Sequence, residues 1–226
     1  MTQASEAEIY KEIKQAIIQQ KLRPNMQLVE DVLAESFGVS RTPVRNVLRR
    51  LAHEKLVTII PHKGTFVACP SVTEAKEVFE MRQVLETAAI RKACNRLDEA
   101  EISQFKAMLE AEKAAHTRGD LLETLQISCD FHLKIAKLAG NSYYYRYLEE
   151  LISLNYVIMS FYGHRQLTLC GCQEHALILD AMIEKDTTRA EQLMLEHLKH
   201  IEACLDFGDS HAATASLADL FKNRTR

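Results

Sequence analysis

The sequence predicts a mainly α protein in two parts: three short helices with a small hairpin, then an all-α antiparallel helical bundle. Two observations predict this. All four prolines (Pro24, Pro43, Pro61, Pro70) lie in the first 70 of 226 residues, and a long helix excludes proline from its interior. Charge divides at the same place. The chain carries −3 overall, but residues 1–70 hold ten Lys and Arg against seven Asp and Glu, and the remainder holds 18 against 24. A +3 segment joined to a −6 segment points to two domains with different partners. The domains are expected at 1–70 and 71–208, with a C-terminal tail at 209–226. With 47% apolar and 26% charged residues, the composition is that of a globular protein and excludes disordered, collagenous and low-complexity classes.

Each element has a local reason. Ile9, Ile13, Ala16, Ile17 and Ile18 recur at helical spacing and predict a helix over 6–20. Leu22-Arg23-Pro24-Asn25 breaks it with turn chemistry. Val32, Leu33, Ala34 and Phe37 face inward from a short helix at 29–37, which Gly38 stops because glycine accepts positive φ. Ser40 is the N-cap of a helix at 41–54, with Pro43 in its first turn and Val44, Val47, Leu48 and Leu51 as its apolar face. The β-branched and aromatic runs 57–60 and 65–67 flank Pro61-His62-Lys63-Gly64, which reads as a hairpin with a basic tip. Ser71-Val72-Thr73-Glu74 is a capping-box pattern. It opens six helices at about 71–94, 98–116, 121–138, 143–161, 172–185 and 188–207, whose short links make an antiparallel bundle. The last 18 residues read as a loose polar tail with a short amphipathic piece at 217–221.

Three helices followed by a hairpin form the pattern of a winged helix-turn-helix, with Phe37-Gly38-Val39-Ser40 as the tight turn. Arg41, Arg45 and Arg49 are four apart and share one face of the third helix. Arginine forks suit guanine edges and phosphates, and a helix N-terminus attracts phosphate. The alternative is an ordinary solvated face, against which stand the glycine turn, the serine cap, the hairpin and the local positive charge. Leu28 through Arg45, then Leu48-Arg49-Arg50-Leu51, then Pro61-His62-Lys63-Gly64-Thr65-Phe66-Val67, resemble the DNA-binding domain of GntR-family bacterial transcription regulators. The resemblance implies dimeric binding to operator DNA. It places Ser40, Arg41, Thr42 and Arg45 in the base- and phosphate-contacting stretch, and Gly64 at the wing tip; Lys63 joins them as the basic residue of the hairpin tip. Arg49 is added from helix geometry alone. Lys21-Leu22-Arg23-Pro24-Asn25 departs from the family's glycine-flanked turn, and Asp31 stands where some relatives carry a basic residue.

Three histidines fall on apolar helix faces of the second part. His132 aligns with Leu125, Cys129, Ile135 and Ala136; His175 with Ile178, Leu179 and Met182; His197 with Leu193, Met194, Ile201 and Cys204. Each alone reads as a packed core histidine. Three on different helices of one bundle read as a candidate transition-metal site. The run Phe131-His132, Gly140-Asn141, Glu174-His175, Asp186, Met194 and His197-Leu198 resembles the FCD ligand-binding domain of the FadR subfamily. That resemblance implies a divalent metal, commonly zinc or nickel, held by three histidines and an aspartate. The histidines match; the aspartate position is Ser128, and Asp130 should point away, about 200° round the helix from His132. A three-histidine site with water or effector in the open positions stays open. The resemblance also implies a small organic-acid effector. Arg82 matches an arginine that could pair with its carboxylate, the alternative being a surface ion pair with Glu86 at i+4. Asn155, Tyr156 and Met159 either line the same cavity or pack as ordinary core.

No stretch approaches the ~18 apolar residues of a membrane span, and no basic-then-apolar export signal is visible, so a cytoplasmic protein is expected. The six cysteines form no framework and are expected as reduced thiols. Cys170-Gly171-Cys172 is expected in a helix-start loop rather than at a metal or redox site. The leading function is a metabolite-responsive, homodimeric transcription regulator. Two alternatives remain. A metalloenzyme lacks any Asp or Glu at a persuasive spacing beside the histidines and leaves the arginine face unexplained. A DNA-binding regulator or structural protein with no effector or metal would have the histidines as core.

Overall fold

A computed structural model describes residues 4–19, 21–163, 167–207 and 217–221. The chain forms two compact units, Met1–Pro70 together with Phe207–Arg226, and Ser71–Asp206.

In the first unit, α1 (Glu6–Ile18) starts at a capping box, with the Ser5 hydroxyl accepting from the Glu8 amide and the Glu8 carboxylate accepting from the Ser5 amide. The five apolar positions of its periodic stripe are all buried. α2 (Glu30–Phe37) ends at Gly38, whose φ of 65° is the left-handed stop expected of it. α3 (Arg41–His53) buries Val44, Val47, Leu48 and Leu51 against α1 and α2. Ser40 is its N-cap residue, but the hydroxyl makes no capping hydrogen bond; the first-turn amides of α3 are left to other acceptors. β1 (Val57–Ile60) and β2 (Gly64–Val67) pair antiparallel, Val57 opposite Val67 and Ile60 opposite Gly64. The segment before α2 adds a third edge: Leu28 N–H donates to Thr65 O at 2.8 Å, and Asn25 N–H to Val67 O at 3.0 Å. The hairpin is thereby tied to the turn that precedes α2. A last short helix, α10 (Leu217–Phe221), packs on α2 with Leu217 and Phe221 buried, the Phe221 and Phe37 ring centres 5.2 Å apart. The amphipathic piece expected in a loose tail is thus part of the N-terminal unit's core, because the Phe221 ring packs on Phe37 and Leu217 is buried with it. The rest of 209–226 lies outside the described residues.

In the second unit, α4 (Val72–Ala93), α5 (Glu99–Thr117), α6 (Leu121–Leu138), α7 (Ser142–Tyr162), α8 (Leu167–Ile183) and α9 (Thr187–Ala203) form the bundle. Side chains of Ser71, Asp98, Asp120, Asn141 and Asp186 cap α4, α5, α6, α7 and α9, each accepting a first-turn amide that would otherwise lack a partner. α8 starts five residues earlier than the sequence pattern suggested. Cys170-Gly171-Cys172 is helical rather than a helix-start loop, a single glycine costing a helix only about 1 kcal/mol. The side chains there lie outside the described residues. Phe105, Phe131, Ile178, Met182, Met194 and Leu198 meet in the bundle centre, all fully buried. Each contributes roughly 1.5–3 kcal/mol by leaving water. Phe131 links this core to the histidine of α8, its ring edge-on to Phe105 and stacked on His175 with centres 4.4 Å apart.

Candidate functional site

Two places in the chain gather the residues singled out above, one in each unit. In the N-terminal unit, Ser40, Arg41, Thr42, Arg45 and Arg49 are exposed on α3, opposite its buried apolar face. Both acidic residues at the start of α2 reach this face. Glu30 accepts from Arg45 Nε at 3.1 Å and Nη2 at 2.8 Å, and Asp31 pairs with Arg41. Arg50 turns away from it, its guanidinium 3.6 Å from the centre of the Tyr10 ring. Tyr10 donates to Glu54 at 2.7 Å, and Lys14 pairs with Glu54 at 2.9 Å, fastening α1 to α3. At the hairpin tip His62 has φ 61° and Gly64 φ 115°. A Cβ on Gly64 would fall 2.9 Å from the Gln27 amide nitrogen, which itself donates to Lys63 O at 3.1 Å. Only glycine fits this tip without strain, and it leaves the Lys63 side chain in solvent.

In the bundle, α6, α8 and α9 bring His132, His175 and His197 to one buried point. Their Nε2 atoms lie 3.2 Å (175 to 197), 3.3 Å (132 to 175) and 3.3 Å (132 to 197) apart. Every Nδ1 faces a carboxylate: His132 toward Glu86 of α4 at 2.5 Å, His175 toward Glu112 of α5 at 3.0 Å, His197 toward Glu174 of α8 at 2.7 Å. Glu174 also reaches His200 Nδ1 with its other oxygen at 2.5 Å. A carboxylate hydrogen-bonded to Nδ1 keeps the proton there in His175 and His197 and leaves their Nε2 lone pairs facing inward, while His132 and Glu86 make a close ion-pair contact without a hydrogen bond. Burial pushes the His132 and His197 imidazoles below their ordinary range, favouring the neutral form that ligates metals. Three donors about 3.3 Å apart are the triangle that ligands at ~2.0–2.1 Å from one cation subtend. The donor set therefore fits a divalent metal of the imidazole-binding class.

Arg82 of α4 is 1% exposed. Its Nε donates to Glu86 Oε1 at 2.7 Å, so the expected i+4 pair exists, buried rather than on the surface. Its Nη1 and the Oδ1 of buried Asn155 have no hydrogen-bond partner. Both residues line a small cavity of about 30 Å³, room for one water, with Ser128, Cys129, His132 and Tyr156. Arg82, Asn155 and Tyr156 are thus brought to one space with a histidine of the cluster, and Met159 lines it too. Burial alone would raise the Glu86 carboxyl; Arg82 and then His132 outweigh it and hold it down at about 2. Asp130 is exposed and accepts from Gln126, and Ser128 occupies the cavity wall. A larger hollow, about 570 Å³, is an open groove between α4 and α9 that holds none of the three histidines.

Spacing along the chain gave no acidic residue beside the histidines, and the structure corrects this. Glu86, Glu112 and Glu174 reach them from other helices or another turn, where linear spacing carries no information. A signal existed for two of them. Glu112 continues the stripe of Phe105, Met108 and Leu109, and Glu86 lies between Arg82 and the buried Ala89 and Ile90. A carboxylate on an apolar stripe needs a partner inside.

Residues 5–67 match the bacterial regulatory proteins of the gntR family, and residues 77–200 match the FCD domain. The chain belongs to the gntR family, with an FCD domain. The HTH-type transcriptional regulator YdhC of Bacillus subtilis is 27% identical over 197 residues, covering 85% of this chain and 87% of that one. The HTH-type transcriptional repressor RspR of Escherichia coli is 25% identical over 88% of both. Among solved structures, a GntR regulator from Rhodococcus sp. RHA1 has the same fold, with TM-score 0.70 at 21% identity over 88% of this chain and 95% of that one. Escherichia coli McbR/YncC follows at 0.66 and 22%, over 90% and 97%. This gntR-family protein is a DNA-binding transcription regulator rather than an enzyme, and its FCD domain is a metabolite-binding regulatory domain. Among its described residues no helix is long and apolar enough to cross a membrane.

Proposed function

We propose that this regulator binds operator DNA as a homodimer in the cytoplasm. Ser40, Arg41, Thr42, Arg45 and Arg49 of α3, with Lys63 and Gly64 of the hairpin, contact the duplex. A small carboxylate effector taken by Arg82, Asn155 and Tyr156 changes its affinity for operator. His132, His175 and His197 hold a divalent metal, zinc or nickel, beside that effector. The observation that carries this reading is the convergence of three Nε2 atoms on one buried point, each ring turned by a carboxylate and one ring sharing a cavity wall with a buried arginine.

Charge supports it. Each imidazole is backed by a carboxylate, so a divalent cation on the Nε2 side would be met by that negative charge. When bound, the metal supplies a Lewis-acidic anchor for an anionic group. The chain's own residues do the rest. Glu112 and Glu174 fix the ring tautomers of His175 and His197. Ser128, in place of the family's aspartate, leaves a ligand direction unclaimed. Arg82 offers Nη1, and Asn155 offers an amide, to an anion that enters by displacing the cavity's side chains. An effector shifts operator affinity only through differential affinity for two states of the bundle. The exposed apolar side chains of Met81 and Val84 on α4 favour α4 as the dimer face.

Metal analysis of the purified protein, with His175→Ala as control, tests the centre: about one metal per chain in the wild type and a clear loss in the variant. Absence of metal, together with no thermal shift across a panel of organic acids, would instead favour a regulator whose histidines are core. Footprinting tests the face. Arg45→Ala loses the specific footprint while keeping its melting curve, and an unchanged footprint would refute the assignment.

A further inference from the structure

Glu30 stands apart from the other acidic residues near α3. It is the first residue of α2, and it is fastened to the arginine at the centre of the exposed face of α3. Arg45 gives it one edge of the guanidinium, Nε at 3.1 Å and Nη2 at 2.8 Å. Guanidinium has five N–H donors in one plane. With Nε and one Nη2 hydrogen taken by Glu30, the free donors are both Nη1 hydrogens and the other Nη2 hydrogen. These form the end-on edge, the one that matches guanine O6 and N7. Arg41 and Arg49 also act on Glu30, and its carboxyl lies below the ordinary range, first through the Arg45 hydrogen bond. One carboxylate is therefore bonded to Arg45 and within electrostatic reach of the other two arginines of the face.

We infer that Glu30 is a positioning residue for base reading: it holds Arg45 with its end-on edge presented, and it lowers the pull of the face on phosphate. The inference rests on the reading of Arg45 as a DNA contact. Glu30 touches no base itself. Its effect is to pre-set a long flexible side chain, so that less rotamer freedom is lost when guanine is met. By neutralising one charge it also makes sequence-independent binding weaker than the same face would give without Glu30.

The test uses the full-length protein and two duplexes. One is recovered by the wild type from a randomised pool, and the other is scrambled with the same composition. Glu30→Gln keeps the side-chain volume and removes the charge; Glu30→Ala repeats the test without the amide, and melting curves confirm folding of both. Expected is tighter binding to the scrambled duplex, a salt dependence steeper by about one per protomer, and an affinity ratio between the duplexes reduced about three- to tenfold. Re-selection with the variant should relax one guanine position per half-site. In the Arg45→Ala background, Glu30→Gln should leave the ratio unchanged. A purely structural link between α2 and α3 would weaken both duplexes alike and leave the guanine in place, and that result overturns the inference. If the wild type enriches no sequence, or Arg45→Ala keeps the full ratio, the reading of Arg45 falls first and the inference with it.

Discussion

Glu86→Gln is the most informative single change in the bundle, because it keeps volume and removes only charge. The wild-type carboxylate is 1% exposed, bonded to Arg82 Nε at 2.7 Å and 2.5 Å from His132 Nδ1. Arg82, equally buried, already has one guanidinium nitrogen without a partner, so it has no second carboxylate to turn to. Removing one partner of a buried pair costs about 3–5 kcal/mol, because the other charge stays buried. For a helical unit of this size that lowers the melting transition by about 10–20 °C. The sign with pH comes from the direction in which the carboxyl is displaced. The Glu86 carboxyl is held at about 2, below its ordinary 4.5. Its stabilisation is therefore complete above about 4.5 and is lost as pH falls through the folded value. Thermal melts followed by helical circular dichroism should show a wide gap between wild type and Glu86→Gln near neutral pH, closing as the solution is acidified from 4.5 toward 2. The double variant Arg82→Met/Glu86→Leu should recover most of the loss, since apolar pairs of similar volume replace buried ion pairs at little cost. A gap of a few degrees at neutral pH, or one that does not close in acid, refutes the reasoning.

Zinc added in hundredfold excess over its dissociation constant should stabilise the wild type by about 2.7 kcal/mol and leave His175→Ala unmoved in a thermal-shift assay. Phe221→Ala removes the buried ring packed on Phe37; it should destabilise the N-terminal unit by about 3–5 kcal/mol in calorimetry without altering metal content. Gly64→Ala forces a φ of 115° on a residue with a Cβ and pushes it against Gln27. It should weaken operator binding in a gel-shift titration while the bundle melts as before.

What was legible in the sequence was whatever lies close along the chain. Periodic apolar stripes and side-chain caps fall within four residues of one another, and α1, α4, α5 and α6 begin and end within a residue or two of where these signals put them. The exposed face of α3 was legible for the same reason, since Arg41, Arg45 and Arg49 share one helix. The start of α8 was not: Gly171 looks like a boundary locally, and the bundle overrides a weak propensity. The three histidines were separately visible as polar residues on apolar faces, but their meeting point depends on how α6, α8 and α9 pack. The carboxylates behind them were harder still. Glu86 and Glu112 come from α4 and α5, 46 and 63 positions from the histidines they hold. Only the cost of burying a lone carboxylate hints at them, and that argument says a partner exists without saying which.

Glu86 is also where the two proposed ligand sites meet. One of its oxygens holds Arg82, and the other lies against the ring of His132. An anion taken by Arg82 competes with Glu86 for the same guanidinium and relaxes one side of that carboxylate. A cation held by His132 Nε2 would make the ring more positive toward Glu86 and would draw that carboxylate the other way, loosening its hold on Arg82. The two proposed bindings would thus favour one another through a single buried side chain, even where cation and anion do not touch. The cavity beside them holds only about 30 Å³, less than any organic acid needs. Binding of such an acid there would therefore require α4, α6, α7 or α9 to yield, the helices whose residues wall it. A site too small for its ligand until the helices yield would convert occupancy into helix movement, and a regulator needs that conversion more than it needs affinity.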